Sequence, residues 1–203
     1  MPTAALVLSG GESSRFGGLP KALMSLGGTT AVRHIVEGCF ARGLDPVVVV
    51  VGPHRGPVAH ELRDLSVRLV DSEQWYEGRT ASVHAGLEAI PNDCDVLFWP
   101  VDHPFVRGTT VDALMSARDN DALAVWFIPT HGGRGGHPVL WRSNVRNDVM
   151  DLRNDAPLRS LLPEFGVQVR RLEVNDPGVV ANVDTPEEYR AALDAWQSRG
   201  GEY

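Results

Sequence analysis

Residues Val47–Val51 are five consecutive valines, set between Pro46 and Gly52. A β-branched run of that length suits a pleated strand and offers water no polar side chain on either face. Such a strand must be covered on both sides, the condition met in parallel sheets flanked by helices. The rest of the chain supplies the cover. Apolar runs of strand length at Ala4–Leu8, Val67–Val70, Asp95–Val101, Leu123–Ile128 and Val167–Val174 alternate with helical patterns, and a short extended piece spans Val139–Trp141. That alternation predicts an α/β fold with a mostly parallel sheet.

The helices carry their own punctuation. Thr30 is placed to cap a helix running to about Arg42, with Ile35, Val36, Cys39 and Phe40 on one face and Gly43 as its stop. Further helices are predicted near 58–64, from Thr80 or Ser82 to Pro91, over 111–118, and near Val145 and Leu158. Thr185-Pro186-Glu187-Glu188 is a capping box with proline at the first helical position. Four glycines in seven residues make His131–His137 read as loop. With no repeat, linker or low-complexity segment, residues 1–203 read as one domain.

A single lysine stands among eighteen arginines, and this Lys21 ends a glycine-rich loop that follows the first strand. Where arginine serves almost every cationic position, a retained ammonium points to a task for a compact point charge with rotatable donors. Gly10 and Gly11 let the backbone turn and present N–H groups to phosphate oxygens, while Ser13, Ser14 and Arg15 add donors and charge. Neither a Gly-x-x-x-x-Gly-Lys-Ser/Thr loop nor a Gly-x-Gly-x-x-Gly fingerprint is present. The net charge of −7 argues against a nucleic acid polymer as partner. Within that acidic chain, residues 1–36 carry only Glu12, Arg15, Lys21 and Arg33, a local balance suited to a small polyanion such as a nucleoside triphosphate. No apolar run approaches the roughly 18 residues of a membrane span, and no signal-peptide pattern opens the chain. A cytoplasmic protein without a membrane partner is expected, with Cys39 and Cys94 as buried free thiols.

The segment Leu8-Ser9-Gly10-Gly11-Glu12-Ser13-Ser14-Arg15-Phe16-Gly17 through Lys21 resembles the signature of the MobA-like nucleotidyltransferases. It departs at Ser9, where that family usually has alanine. The resemblance extends to about Tyr189 and implies a Rossmann-like three-layer sandwich of the nucleotide-diphospho-sugar transferase type. It also implies NMP transfer from an NTP to a phosphorylated acceptor, with molybdopterin first and a sugar or alditol phosphate second. A nucleotide-binding or cofactor-chaperone module without turnover is the alternative from another class.

Site residues follow from the same resemblance. Leu8, Ser9, Gly10, Gly11, Ser13, Arg15 and Lys21 would hold the nucleotide, with Arg15, Lys21 and Asp102 as catalytic residues. Asp102, after a buried strand in Val101-Asp102-His103-Pro104, and Asp184 in Asn182-Val183-Asp184 would ligate Mg²⁺ through oxygen, with Asn182 the alternative second ligand. The segment Gly78-Arg79-Thr80-Ala81-Ser82 is the candidate for the base, through Gly78 and Ser82 above all, and Asp71 is a further one. Ser82 resembles the cytidylyl branch and favours CTP; Gly10-Gly11 resembles the guanylyl branch and keeps GTP open. Gly135-Gly136-His137-Pro138 resembles an acceptor-pocket turn in which Gly136 lets a ligand approach and His137 touches its phosphate. Asn154–Arg159 stands where that family has Gly-Asp-x-Gly-Ala-Arg but replaces both glycines. His34, His54, His60 and His84 read as surface or packing residues and Trp99 as core. Trp75-Tyr76 reads first as packing, with a lid or stacking role as the alternative.

Overall fold

The valine run forms a strand in which every residue is buried, one position in from the edge of a mixed sheet. The computed structural model describes residues 1–11 and 20–198. Strands β1 (Thr3–Ser9), β2 (Val47–Val51), β3 (Arg68–Asp71) and β4 (Asp95–Pro100) run parallel in the order β3-β2-β1-β4. Beyond β4 the sheet continues with β7 (Val139–Trp141), antiparallel to both β4 and β5 (Trp126–His131). The last strand, β8 (Val169–Glu173), pairs parallel with β5.

Helices cover both faces. On one, α1 (Ala31–Phe40) and α4 (Gly108–Asn120) bring Ile35, Val36, Val111 and Leu114 against Ala5, Val7 and Val49. On the other, α3 (Arg79–Glu88) brings Val83 and Leu87 against Leu6, Val48 and Val50. This is the expected three-layer sandwich. A short helix α2 (Arg55–Glu61) follows β2; α5 (Arg146–Met150) and α6 (Leu162–Phe165) border the second face. The last helix, α7 (Pro186–Gln197), has the capping box in full: Thr185 accepts from the Glu188 N–H while the Glu188 carboxylate accepts from the Thr185 N–H. Its Trp196 buries an edge-on contact with His34 of α1, and burial pushes that imidazole down to about 4. Cys39 and Cys94 are buried free thiols, and no helix among the described residues is long and apolar enough to cross a membrane.

Two local expectations need correction. His131–His137 is not plain loop: β5 runs on to His131 and turns through Gly132-Gly133, both at positive φ, into β6 (Arg134–Gly135). Positive φ at both central residues is what a two-residue hairpin turn requires, so the glycines mark a tight turn and no long connection. Helix α3 begins at Gly78 and Arg79, ahead of Thr80 and Ser82. The Thr80 hydroxyl donates instead to the Ala156 carbonyl at 2.5 Å. Gly78 sits at φ 151°, and a Cβ there would come 2.3 Å from the Asn154 carbonyl oxygen, so close packing of that loop fixes where the helix starts.

One buried ion pair ties the sheet to its cover. Asp95, fully buried at the start of β4, accepts from Arg118 of α4 at 2.8 Å and from the Ser143 N–H at 2.9 Å. Arg118 donates as well to Thr3 of β1 at 2.8 Å. Removing one member of a buried pair leaves the other charged and dry. Asp95→Ala is therefore expected to cost about 3–5 kcal/mol, read as a lowered midpoint in urea unfolding.

Candidate active site

Strand order reverses between β1 and β4, and open α/β sheets bind ligands outside the carboxyl ends at such a switch point. A cavity of about 370 Å³ lies there. Leu8, Ser9, Gly10 and Gly11 enter its wall from the end of β1. Lys21 enters from a 3-10 turn at Lys21–Leu23, and Gly78 and Ser82 from the start of α3. Asp102 comes from just beyond β4, and Asp184 from the segment before α7. Residues from five stretches of the sequence thus meet in one place. Ser13 and Arg15 lie outside the described residues.

The two carboxylates are brought together by the backbone: the Val183 N–H donates to the Asp102 carbonyl at 2.9 Å. Each carboxylate faces a cation. Lys21 Nζ lies 2.5 Å from Asp184 Oδ1, whose partner oxygen accepts from the Asn182 amide at 2.7 Å. Asn182 thereby orients Asp184. Arg79 donates to Asp102 Oδ2 at 3.1 Å. Asp102 Oδ1 is buried and has no hydrogen-bond partner among the described residues, with His103 Nε2 at 3.8 Å. A buried carboxylate oxygen without a donor is costly, and a hard cation satisfies it. Among the described residues no three His, Cys, Asp or Glu side chains gather to hold an ion. Two carboxylates, with phosphate oxygens completing the shell, are a donor set that fits Mg²⁺.

A second cavity, about 640 Å³, adjoins the first, and Arg79 lines both. Its floor is aromatic. Trp126 and Trp141 lie 5.1 Å apart, Phe98 5.7 Å from Trp141, His137 5.4 Å from Phe98, and His103 4.8 Å from His137. The ring series ends beside Asp102. Burial, above all, holds both imidazoles below the ordinary histidine range, and the neighbouring His103 pushes His137 further down. Arg134, Arg159 and Arg171 line the same cavity, a concentration of positive charge in an acidic chain.

Three sequence expectations change in detail. Gly136 lines the second cavity, yet a Cβ on it would come 2.0 Å from the Val179 carbonyl oxygen. Its close approach is to the protein's own backbone. Asp71, at the end of β3, pairs with Arg55 at 2.7 Å and lines neither cavity. Trp75 is not a core residue but part of the first cavity's wall, together with His54. Arg79 falls inside the base segment read from the sequence, Gly78–Ser82, but its pairing with Asp102 was not anticipated there.

The MobA-like NTP transferase domain model matches residues 5–174. The chain belongs to this family. It is 28% identical over 188 residues to a nicotine blue oxidoreductase of Paenarthrobacter nicotinovorans, covering 90% of this chain and 92% of that one. It is 30% identical over 195 residues to a probable molybdenum cofactor guanylyltransferase of Bacillus cereus strain Q1, covering 92% and 93%. Among solved structures, a nucleotidyl transferase from Methanothermobacter superposes with a TM-score of 0.83 at 22% identity, covering 98% and 99%. Fold and family make this MobA-like chain a nucleotidyltransferase.

Proposed function

We propose that this protein transfers an NMP from CTP or GTP to a phosphorylated acceptor in the cytoplasm, releasing pyrophosphate. Molybdopterin is the first candidate acceptor. One observation carries the reading: the phosphate-loop cavity and an arginine-rich aromatic cavity share Arg79 as a wall beside Asp102. A triphosphate in the first and an acceptor phosphate in the second would meet at that wall. The aromatic floor favours an acceptor with a flat ring over a sugar or alditol phosphate. Ser82 favours CTP, while the Bacillus cereus relative favours GTP.

In the reaction an acceptor phosphate oxygen forms a bond to the α-phosphorus as the bond to the bridging oxygen of pyrophosphate breaks in line. The attacking phosphate is already anionic, so no protein nucleophile is required, and positioning and charge do the work. Backbone N–H groups at Gly10 and Gly11, with Arg15, hold the outer phosphates. Lys21 offsets charge building on the α-phosphate and the leaving group. Asp102 and Asp184 would hold Mg²⁺, which when bound supplies Lewis-acid polarisation of phosphate oxygens. Burial disfavours charge on His103 and His137, which line the acceptor cavity without adding repulsion toward its arginines.

The test is thermal unfolding with CTP, GTP, ATP and UTP, each with Mg²⁺ and with chelator. One nucleotide should raise the melting temperature by about 5–10 °C at about 100 times its Kd, and only with metal. No shift with any of the four at millimolar concentration would sink the reading. The likeness to nicotine blue oxidoreductase over 90% of the chain favours a second reading, oxidoreduction of a substrate held in the aromatic cavity. Pyrophosphate release on adding acceptor to the nucleotide complex separates the two.

A further inference from the structure

Trp75 is the largest side chain lining the first cavity, and its surroundings are not those of a packing residue. It belongs to none of the three hydrophobic clusters among the described residues. Its ring meets Tyr76 edge-on at 6.1 Å, and Tyr76 is itself 69% exposed. Trp75 is half-buried, so part of its indole meets water, an apolar cost that a flat ligand against it would relieve.

The turn that presents it is fixed. Trp75 opens a 3-10 turn, Trp75–Glu77, between β3 and α3. Its N–H donates to the Ser72 carbonyl at 3.3 Å, and the Glu77 N–H donates to the Gln74 carbonyl at 2.9 Å. From a segment far along the chain the Asn154 amide donates to the Glu77 carboxylate at 2.6 Å and to the Gln74 side-chain oxygen at 3.4 Å. Behind the turn, the Ser82 hydroxyl donates to the Ser72 hydroxyl at 3.0 Å. Gly10 closes on Ser82, since a Cβ at Gly10 would lie 3.3 Å from its Oγ. The backbone that carries the ring is thus ordered before any ligand arrives, so only the side chain remains to be fixed on binding.

We propose that the Trp75 indole is the stacking platform for the nucleotide base, and so a specificity-determining residue of this site. The inference rests on the nucleotide reading of the first cavity. Phosphates need the loop amides and cations; the base is the part of an NTP with a π-face to offer. Base–aromatic stacking corresponds to roughly 5- to 150-fold in affinity per base.

Calorimetric titration with Mg²⁺–CTP, Mg²⁺–GTP and inorganic triphosphate separates base from phosphate contacts. Trp75→Leu should weaken the preferred nucleotide at least about tenfold, leave inorganic triphosphate within about twofold, and be rescued by Trp75→Phe. Nucleotide binding should also quench tryptophan emission in the wild-type chain and lose most of that quench in Trp75→Phe, a readout that stands even if the leucine variant does not fold. Four results overturn the proposal: unchanged nucleotide affinity in Trp75→Leu, an equal loss of triphosphate, wild-type protein that binds triphosphate as tightly as nucleotide, or an undiminished quench in Trp75→Phe. The first, third and fourth leave the phosphate site standing. A wild-type chain that binds neither probe overturns both readings.

Discussion

Lys21→Ala is expected to lower turnover about a thousandfold while leaving the melting temperature within about 4 °C of wild type. The two halves of this expectation have separate causes. Lys21 Nζ sits 2.5 Å from Asp184, with 16% of the lysine side chain and 35% of the aspartate exposed. A pair only partly withdrawn from water contributes about 1 kcal/mol, and Asp184 keeps its hydrogen bond from Asn182 when the lysine is gone. Loss of a cation positioned where negative charge develops is a transition-state effect and falls on the rate. Lys21→Arg should recover little: a planar fork on a longer stem does not occupy the place of a compact ammonium beside the turn at Pro20. Pyrophosphate release with nucleotide and acceptor, measured beside a thermal melt, is the check. Near-normal product formation by the alanine variant would remove Lys21 from the mechanism.

Elements whose information is local are legible in the amino-acid sequence itself. Five valines admit little but a doubly covered strand, Thr30 accepts from the Arg33 N–H as an N-cap should, and the Thr185–Glu188 box is complete. The cavity residues at the ends of β1 and β4 are legible for a related reason: each directly follows an apolar strand, and open α/β sheets bind ligands outside the carboxyl ends of their strands. What escaped depends on contacts between distant segments. Gly78 opens α3 because the Asn154 backbone, far along the chain, lies against it, and no propensity of Thr80 or Ser82 competes with that. Glycine density around residue 133 reads as loop until the pairing of His131 with Arg134 shows a hairpin. Arg79 is legible as part of the Gly78–Ser82 segment, but its partner is not: the 3.1 Å contact with Asp102 joins two distant stretches. His103 and His137 belong to different turns, and their ring contact exists only once the Val179 carbonyl anchors the His137 N–H at 2.9 Å.

Asp102→Asn carries the second large expectation: turnover down about a thousandfold, and no metal-dependent part left in the thermal shift produced by nucleotide. The substitution keeps the shape of the side chain, and an amide oxygen can still accept from Arg79. What it removes is the charge on a carboxylate whose Oδ1 is buried without a donor among the described residues. In the ligand-free protein that orphaned oxygen is a strain, so the asparagine variant should melt at the same temperature as wild type or somewhat higher, the trade of stability for function seen at reactive sites. A structural role predicts the opposite pattern. If Asp102 served only to hold Arg79 at the start of α3, weakening the ion pair would lower the melting temperature and leave metal dependence intact. Melting curves of the two proteins with nucleotide, in Mg²⁺ and in chelator, distinguish the cases without any knowledge of the acceptor. A surviving metal-dependent shift in Asp102→Asn would move the cation off Asp102 and leave its buried oxygen to be explained by Arg79 alone.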